Sequence, residues 1–488
     1  CVITEKEEEY IKNDVLVVSE ALKLMLDNGH TSLTIGSACL QDYTSRIGKE
    51  IFDALYPNIY DIKFTEKEQD EYGANNAGEY IRNSYRGGWC YVVEGKENRV
   101  FRNGLTADVN SLYPSEMHSC SGNYYPIGKP TFWKGNYIPK AALTGNTYYF
   151  IRIKTRFYIK DGYLPFIQMK NNFMYRQNEC LKSSDITWNG KKFDRYIDTN
   201  GQEQDARVIL TLTMTDYKRI QDFYNLCDME ILDGCYFQAE IGLFDEYIDS
   251  WYEIKSNSTG AVREQSKLFL NNLYGKFGAS PFSGFKYAVE KDGKLAFINV
   301  IDNSKKPGYI PIGSAITSYA RDFTIRHAQA NYYGPDKPGF IYADTDSIHC
   351  DLKPDELIGI ETHPSAMRHW KLESYWDVGF FMRQKTYIEH CTHKDGNLIL
   401  DDEGNPKPFY LVKACGMPKE CNWQFVASLE GEIPEPKEGT VHSPAKLEFM
   451  KKKRTVFDMK PGLCIPERLK PKRIPGGVVL VEEDWTMR

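Results

Sequence analysis

Apolar residues recur along this chain at two different spacings, which predict helices and strands. Residues 5–28 carry them at helical intervals as far as Asn28-Gly29, and a second helical stretch covers roughly 260–275. Between about 81 and 350, short apolar or aromatic runs alternate with turn residues, as they do in strand-rich proteins. The pattern therefore predicts mixed α and β structure.

Two segments interrupt this pattern and predict exposed connections. The range 65–80 is polar and acidic around Gly-Ala-Asn-Asn-Ala-Gly, which is typical of a loop or a domain boundary, and 429–440 contains EGEIPEPKEG. A chain of 488 residues is also longer than one hydrophobic core usually serves. Several subdomains are therefore expected around a common cleft.

Composition and charge limit the kinds of protein that this chain can be. With 41% hydrophobic and 26% charged residues the chain should fold, and its net charge of -6 argues against a uniformly basic coat. Residues 441–474 hold ten Lys or Arg against three acids, which gives a local net charge of +7. Such a segment suits either a surface that binds nucleic-acid phosphates or an ordinary solvent-exposed surface. The sequence has no CxxC pair and no apolar run of membrane-spanning length, which predicts a reducing compartment and no membrane partner.

The strongest local motif is FIYADTDSIHC at 340–350, where apolar residues flank Asp344-Thr345-Asp346. This arrangement predicts a β-hairpin with two acids at its turn. Residues two apart on a strand project to the same face, so the two carboxylates should lie together and need a cation. Mg²⁺ is expected because it prefers carboxylate and phosphate oxygens, whereas an ordinary Asp-rich turn is the alternative.

Another carboxylate ends an apolar run in LTADVNSLYP at 105–114. Asp108 closes the run, and Tyr113-Pro114 is predicted to begin a turn. Carboxylates from separate segments that converge on two metal ions can activate a primer 3′-hydroxyl and neutralise a leaving pyrophosphate. The two motifs together point to phosphoryl transfer from a triphosphate.

The helical stretch at 260–275 has a polar face made of residues on successive turns, namely Arg263, Lys267, Asn271 and Tyr274. Its apolar residues are predicted to pack inward, namely Leu268, Phe269, Leu270 and Leu273. Gly275 is predicted to end the helix. The cations suit phosphates and the Tyr ring suits a base or sugar, although a solvated helix face has the same pattern.

Two shorter segments each pair a cation with an aromatic residue, RQKTY at 383–387 and SYRGG at 84–88. Such pairs can grip a nucleic-acid strand through phosphate and ring contacts, and a Gly-Gly step lets a backbone approach closely. In isolation, either segment is more typical of a plain loop.

The order DVNSLYP, KLFLNNLYG, YADTDS and KTY resembles the polymerase motif series of family B DNA polymerases. YRGG, TSYAR at 317–321 and the ending PGGVVLVEEDWTMR further resemble the protein-primed bacteriophage branch, the phi-twenty-nine type. The resemblance covers nearly the whole chain and implies an α+β, right-hand polymerase fold with palm, fingers and thumb.

The resemblance also implies a division of the chain into subdomains, with two insertions and the C-terminal remnant of an RNase H-like exonuclease domain. The expected ranges are 1–60 for the remnant of the 3′ to 5′ exonuclease, 81–119 for palm with the first carboxylate motif, 120–235 for the first insertion, with terminal-protein and template contacts, 236–279 for palm and fingers helix, 280–308 for the second insertion, for strand displacement and processivity, 309–392 for palm with the DTD hairpin and KTY, and 393–488 for the thumb. The Asp-Gly step in 280–308 predicts a β-hairpin there.

By this resemblance, catalysis rests on Asp108, Asp344 and Asp346. Two Mg²⁺ ions, or Mn²⁺ in their place, would be bound by Asp108, the Val109 carbonyl and Asp346, with Asp344 in support. The nucleotide contacts would come from Tyr113 as the gate against ribose, from Arg263 and Lys267 on the triphosphate, and from Asn271 and Tyr274 beside the nascent pair.

The DNA contacts implied by the resemblance lie in three segments: Tyr85, Arg86, Gly87 and Gly88, then Thr317 and Arg321, then Lys385 and Tyr387. Tyr10 and Asp14 resemble the third exonuclease motif, but the first two motifs do not precede them. We therefore interpret them as an exonuclease remnant without 3′ to 5′ activity. Because residue 1 is Cys and a helical pattern begins at once, we expect the natural N-terminus to lie further upstream.

The function implied is template-directed DNA synthesis that starts on a protein hydroxyl and proceeds with strand displacement. Expected partners are template and primer DNA, dNTPs and a terminal protein, for a monomer in the cytoplasm of an infected bacterial host. A catalytically silent DNA- or terminal-protein-binding fragment and a primer-independent family B polymerase remain alternatives. A reverse transcriptase would more often show adjacent paired Asp in its hairpin.

Overall fold

The computed structural model describes residues 34–168, 180–181, 186–188, 191–198, 200–282, 284–291, 294–301, 305–414, 469–475 and 477–482, with isolated positions between 8 and 32. The helices of these ranges are α1 (Ile35–Ile47), α2 (Lys49–Leu55), α3 (Glu66–Tyr72), α4 (Ala77–Arg82), α5 (Leu112–Met117), α6 (Met214–Phe223), α7 (Asp245–Asn257), α8 (Gly260–Phe277) and α9 (Ile310–Ala330). Within these ranges no helix is both long and apolar enough to cross a bilayer.

The strands are numbered in chain order. They are β1 (Cys90–Val92), β2 (Val100–Val109), β3 (Tyr125–Lys134), β4 (Thr147–Ile159), β5 (Ile167–Gln168), β6 (Cys180–Leu181), β7 (Ile186–Trp188), β8 (Lys191–Phe193), β9 (Arg195–Ile197), β10 (Glu203–Asp205), β11 (Val208–Thr213), β12 (Tyr224–Glu240), β13 (Gly284–Lys291), β14 (Lys294–Ile301), β15 (Phe340–Asp344), β16 (Ser347–Cys350), β17 (Trp370–Arg383), β18 (Thr386–Lys394), β19 (Asn397–Leu398), β20 (Phe409–Ala414), β21 (Leu469–Ile474) and β22 (Gly477–Glu482).

An eight-stranded sheet carries the acidic motifs. Its strand order is β1-β15-β16-β2-β17-β18-β19, with β20 also paired to β18. The predicted hairpin at 340–350 is confirmed as β15 and β16, and the apolar run that Asp108 closes is β2. Because β2 lies between β16 and β17, both carboxylate motifs meet in the interior of one sheet.

A four-stranded sheet, in the order β11-β4-β12-β3, separates two hydrophobic cores. Successive side chains of a strand point to opposite faces. Ile151 and Ile153 of β4 accordingly join the core of the larger sheet, whereas Tyr148 and Phe150 join the core built with α1 and α8. The sheet from the predicted first insertion is thus packed into the rest of the molecule on both faces.

Helix α8 confirms the helix predicted at 260–275, with two differences. It continues to Phe277 and is capped at Gly278, so Gly275 does not end it, because a glycine can remain inside a packed helix. Phe269, Leu270 and Leu273 are buried as predicted, but Leu268 is 42% exposed. Leu268 lies on the side of the helix that its neighbours leave uncovered.

Two segments predicted as a loop and as a turn contain helices. The polar segment 65–80 contains α3 and α4, and a loop remains only at 73–76 between them. Thr65 and Glu68 form a capping box that satisfies free amides in the first turn of α3. Tyr113 and Pro114 do not begin a turn but lie in the first turn of α5, where a proline costs no hydrogen bond. At α3 this end-capping outweighs the loop-forming composition, whereas Ser111 at the start of α5 makes no side-chain cap hydrogen bond.

The remaining described strands form hairpins. The hairpin predicted in 280–308 is confirmed as β13 and β14, with Lys291 opposite Lys294. The C-terminal hairpin of β21 and β22 joins β9 through a parallel pairing of Val481 with Ile197. Since β18 spans Thr386–Lys394 and pairs with β20, the large sheet continues past residue 392. Most of the basic run at 441–474 falls outside the described residues.

Candidate active site

Backbone pairing brings Asp108 and Asp346 together. Asp108 lies opposite Ser347 in the register of β2 and β16. The amide of the next residue, Val109, donates to the Asp346 carbonyl at 2.8 Å. The two carboxylates therefore come from separate segments but are set by one hydrogen-bonded ladder.

The turn that carries Asp344 and Asp346 is held from two sides. Thr345 has a φ of 66°, a left-handed conformation that a β-branched residue rarely adopts. Its amide donates to the Trp89 carbonyl at 2.8 Å, and its carbonyl accepts from Thr324 Oγ1 at 2.8 Å. Asp346 lies in the turn and not on the strand of Asp344. The prediction that both acids share one face of a strand therefore does not apply, and it is the turn that positions them.

Burial and mutual repulsion favour the neutral forms of two of these acids. Burial, with the charges of Asp346 and Glu373, raises the pKa of Asp108 to about 8. Burial likewise raises the pKa of Asp346 to about 6, with Asp344 and Glu373 adding to it and a backbone hydrogen bond opposing it. Two half-buried carboxylates that repel each other provide a site that favours a cation.

Asp344 behaves in the opposite way. Burial opposes its ionisation, but hydrogen bonds from Cys90 Sγ at 3.0 Å and Lys385 Nζ at 2.6 Å outweigh burial and lower its pKa. Asp344 is therefore an ionised carboxylate that already has a cationic partner.

The donor set fits a hard divalent cation. The described residues contain no group of three or more His, Cys, Asp or Glu able to hold a metal ion by themselves. Mg²⁺, however, is usually bound through one or two carboxylates together with substrate phosphates and water. Asp108 and Asp346 match that requirement.

The polar face of α8 lies close to these carboxylates. Arg263, Lys267 and Asn271 are exposed, and the charge of Lys267 is one of the contributions that act on Asp108. Tyr274 stacks on Tyr113 with ring centroids 4.0 Å apart and planes 13° apart. The helix and the first carboxylate motif thus form one site.

Lys255 of α7 belongs to this site and was not predicted. Its Nζ donates to Ser111 Oγ at 3.1 Å, and burial, with the charges of Arg263 and Lys267, lowers its pKa. Glu373 and Lys371 of β17 were also missed, although both act on the pKa of Asp108. These residues have no motif of their own, because their proximity arises from packing between elements.

The segment at 84–88 packs against the acidic turn. A Cβ added at Gly88 would lie 2.5 Å from the Thr345 side chain, so only glycine allows this approach. Arg321, 2% exposed, pairs with Asp216 at 2.6 Å and donates to the carbonyls of Arg86 and Gly87. The Arg321 guanidinium therefore holds the loop from within the protein.

The other predicted DNA contacts differ in exposure. Lys385 keeps about half of its side chain exposed beside Asp344. Thr317, Tyr387 and Arg86 are buried: the Thr317 hydroxyl donates to the Gly313 carbonyl, and Arg86 Nε donates to the Gln168 carbonyl at 2.7 Å. Tyr85 is half-buried, and Tyr10 and Asp14 lie outside the described residues.

Comparison with known proteins agrees with the family that the sequence motifs resemble. A family model described as DNA polymerase type B, organellar and viral, matches residues 2–203 and 208–358. The DNA polymerase of Bacillus phage phi29 is 32% identical over 491 residues, covering 100% of this chain and 73% of that protein. The DNA polymerase of Streptococcus phage Cp-1 is 36% identical over 299 residues, covering 61% of this chain and 48% of its own length.

A solved structure agrees with the fold. Phi29 DNA polymerase complexed with primer-template DNA and incoming nucleotide substrates superposes with a TM-score of 0.69 at 29% identity, covering 100% of this chain and 73% of that one. The α+β polymerase fold expected from the motifs is therefore confirmed. The chain belongs to the organellar and viral type B DNA polymerases and is a DNA-directed DNA polymerase of the bacteriophage type.

Proposed function

We propose that this chain adds dNTPs to a DNA primer at Asp108 and Asp346 and that it starts synthesis on a hydroxyl of a terminal protein. The observation that carries the proposal is the repelling, half-buried carboxylate pair, which lies next to the cationic face of α8. Template, primer and dNTPs as substrates are supported by the related enzyme whose structure contains them.

The nucleotide would lie between the carboxylates and α8. Arg263, Lys267 and Lys255 supply three cations for the triphosphate. The stacked rings of Tyr113 and Tyr274 form a flat platform for the sugar and base, on which a ribose 2′-hydroxyl would meet the Tyr113 ring. Asn271 is exposed on the same face and would contact the nascent pair.

Two divalent cations, Mg²⁺ or Mn²⁺, would be held by Asp108, Asp346 and the Val109 carbonyl, and they would supply Lewis-acid activation of the 3′-hydroxyl and neutralisation of pyrophosphate. Asp344 would keep Lys385 beside the primer end through the 2.6 Å ion pair. Because their side chains are buried, Arg321 and Arg86 would act by fixing the 84–88 loop. The buried Thr317 would act from within α9, where its hydroxyl donates to the Gly313 carbonyl, and Tyr387 would support the strand beside the primer.

The subdomain ranges expected from the sequence form part of the proposal. The eight-stranded sheet would be the palm, α8 the main fingers helix and the segment after 393 the thumb. The segment 120–235 would bind the terminal protein and template, 280–308 would support strand displacement, and 1–60 would be the exonuclease remnant. We infer that the enzyme acts as a monomer in the cytoplasm of an infected bacterial host.

The first test is extension of a primed template by the wild-type chain and by Asp346→Ala with dNTPs and Mg²⁺. Loss of a group on which charge stabilisation depends should lower extension by about 10³-fold. Asp336→Ala is the matched control, because Asp336 is 82% exposed and pairs only loosely with Arg99 at 3.4 Å. If wild type and Asp346→Ala bind DNA but neither extends a primer, the silent binding fragment is the better description.

A further inference from the structure

A buried network of polar side chains lies next to the catalytic carboxylates, two residues further along strands β2 and β16. On β2 and β16, Asp108 is paired with Ser347, and Thr106 is paired with His349. Residues two apart on a strand share a face, about 7 Å apart. Thr106 and His349 therefore lie directly behind Asp108 and Ser347, on the same face of the sheet.

Four neighbouring strands contribute side chains to this network. His349 Nδ1 lies 2.6 Å from Glu389 Oε1 of β18, and Thr106 Oγ1 donates to the same oxygen at 2.8 Å. Trp376 Nε1 of β17 donates to Thr106 Oγ1 at 3.3 Å. On the other side of the ring, His349 Nε2 lies 3.2 Å from Ser347 Oγ, which lies 3.4 Å from the Asp344 carbonyl.

The donors and acceptors have one consistent direction. An indole N–H only donates, so the hydrogen bonds run from Trp376 Nε1 to the Thr106 hydroxyl and from that hydroxyl to Glu389 Oε1. The His349 ring completes it, with Nδ1 beside Glu389 Oε1 and Nε2 beside Ser347 Oγ. Ser347 Oγ also donates to the Asp344 carbonyl.

Burial makes this pair costly to break. His349 is 1% exposed and Glu389 is 0% exposed, and Glu389 Oε2 has no hydrogen-bond partner in the described part of the chain. A buried polar group that loses its hydrogen-bond partner costs the free energy of its own desolvation. The rings of Tyr342, Phe381 and Tyr387 surround the His349 imidazole, with ring centroids 5.0 to 5.4 Å from its own. This packing restricts the orientation of the imidazole.

We propose that His349 and Glu389 are positioning residues that hold the Asp344–Asp346 turn in register with Asp108, acting through the Ser347 hydroxyl. This inference rests on the proposed function, because it concerns the same carboxylates. In this proposal neither the His349 nor the Glu389 side chain contacts a substrate. The pair fixes the relative positions of the two carboxylates, which come from different segments, and thereby determines how well they share a divalent cation.

Two substitutions of His349 separate positioning from simple stability. His349→Asn places an amide near Nδ1, which keeps a donor for Glu389 but removes the link to Ser347. His349→Gln places an amide near Nε2, which keeps the Ser347 link but leaves Glu389 with Thr106 as its remaining hydrogen-bond partner. Positioning predicts that Asn impairs catalysis and Gln impairs mainly folding, whereas a purely structural role predicts that neither changes the rate per folded active site.

The measurements are single-turnover dNTP incorporation, normalised to titrated active sites, and Mn²⁺ binding followed by electron paramagnetic resonance without nucleotide. For His349→Asn we expect a rate lower by about 10-fold and a half-saturating Mn²⁺ concentration higher by about 10-fold, with an unchanged KM for dNTP. Tyr148→Phe, which removes a buried hydroxyl of β4, is the control and should leave both values unchanged.

A folded His349→Asn enzyme with the wild-type rate and wild-type Mn²⁺ binding overturns the inference. If that variant does not fold, Ser347→Ala breaks the same link with a smaller change in volume, and it should shift both values in the same direction. An active Asp346→Ala enzyme overturns the proposed function and this inference together. An inactive Asp346→Ala enzyme beside a normal His349→Asn enzyme overturns the positioning role alone.

Discussion

The surroundings of Asp108 and Asp344 shift the pKa values of these two acids in opposite directions. Burial and a neighbouring carboxylate raise the pKa of Asp108, whereas hydrogen bonds from Lys385 and Cys90 overcome burial and lower the pKa of Asp344. Asp108 therefore gains from a divalent cation, but Asp344 already has a protein cation. At the residue scale, this difference supports the proposed roles of Asp108 as a metal ligand and of Asp344 as a supporting acid.

The raised pKa values predict how stability depends on pH. In the metal-free protein, Asp108 and Asp346 keep protons that the unfolded chain has released between about pH 4 and about pH 8. The folded state binds more protons there, so the free energy of unfolding should fall as the pH rises through this window. Mg²⁺ should restore stability most strongly at the upper end.

Thermal unfolding at several pH values, with EDTA or with Mg²⁺, measures this effect. Asp108→Asn removes one of the two charges and should flatten the metal-free pH dependence across the same window. A melting temperature that is equally sensitive to Mg²⁺ at about pH 5 and about pH 8 would contradict the assignment of these acids to the cation.

At the scale of elements, the 84–88 loop and the acidic turn are fitted to each other. Gly88 packs on Thr345, and the Trp89 carbonyl accepts the Thr345 amide at 2.8 Å. Arg321 of α9 holds the loop by its Arg86 and Gly87 carbonyls. A loop and a helix thus determine the position of a turn to which neither belongs.

Gly88→Ala should therefore displace the turn. Its Cβ would lie 2.5 Å from the Thr345 side chain, and a misplacement of about 1 Å at a catalytic group can cost about 10²-fold in rate. We expect a loss of that size in primer extension. Gly145→Ala is the control, because no described atom lies within 4 Å of its added Cβ. Equal activity of the two variants would show that the loop does not position the turn.

Features confined to one element could be predicted from the sequence. The helix at 260–275, the DTD hairpin and the hairpin in 280–308 each have their own periodicity or turn residues. The sequence could not show the place of Lys255, the burial of Arg321 or the His349–Glu389 pair. These depend on which elements pack together, and residues far apart in sequence carry no local pattern for that.

At the scale of the whole molecule, the predicted insertions are integrated to different degrees. The four-stranded sheet from 120–240 contributes alternate residues to both hydrophobic cores. The β13–β14 hairpin is a separate two-stranded sheet. The first should therefore be needed for folding, whereas the described strands of the second pair only with each other.

Replacing residues 284–301 with a short Gly-Ser turn tests this difference. We expect primer extension on single-stranded template to remain. Synthesis through a downstream duplex should fall by about 10²-fold, because the proposed contact of this segment with the template, which would raise the effective concentration, would be lost. Thermal unfolding shows whether the core is intact. If duplex displacement continues at the wild-type rate, the hairpin has no part in strand separation.

The position of β2 inside the large sheet has a further consequence for heat resistance. Amides of interior strands exchange with solvent only when a large part of a domain opens, whereas loops exchange through small local fluctuations. The Val109 amide, bonded to Asp346, belongs to the first group. Its exchange with deuterium should report on the opening of the proposed catalytic centre, and inactivation by heat should therefore coincide with melting of the sheet instead of preceding it.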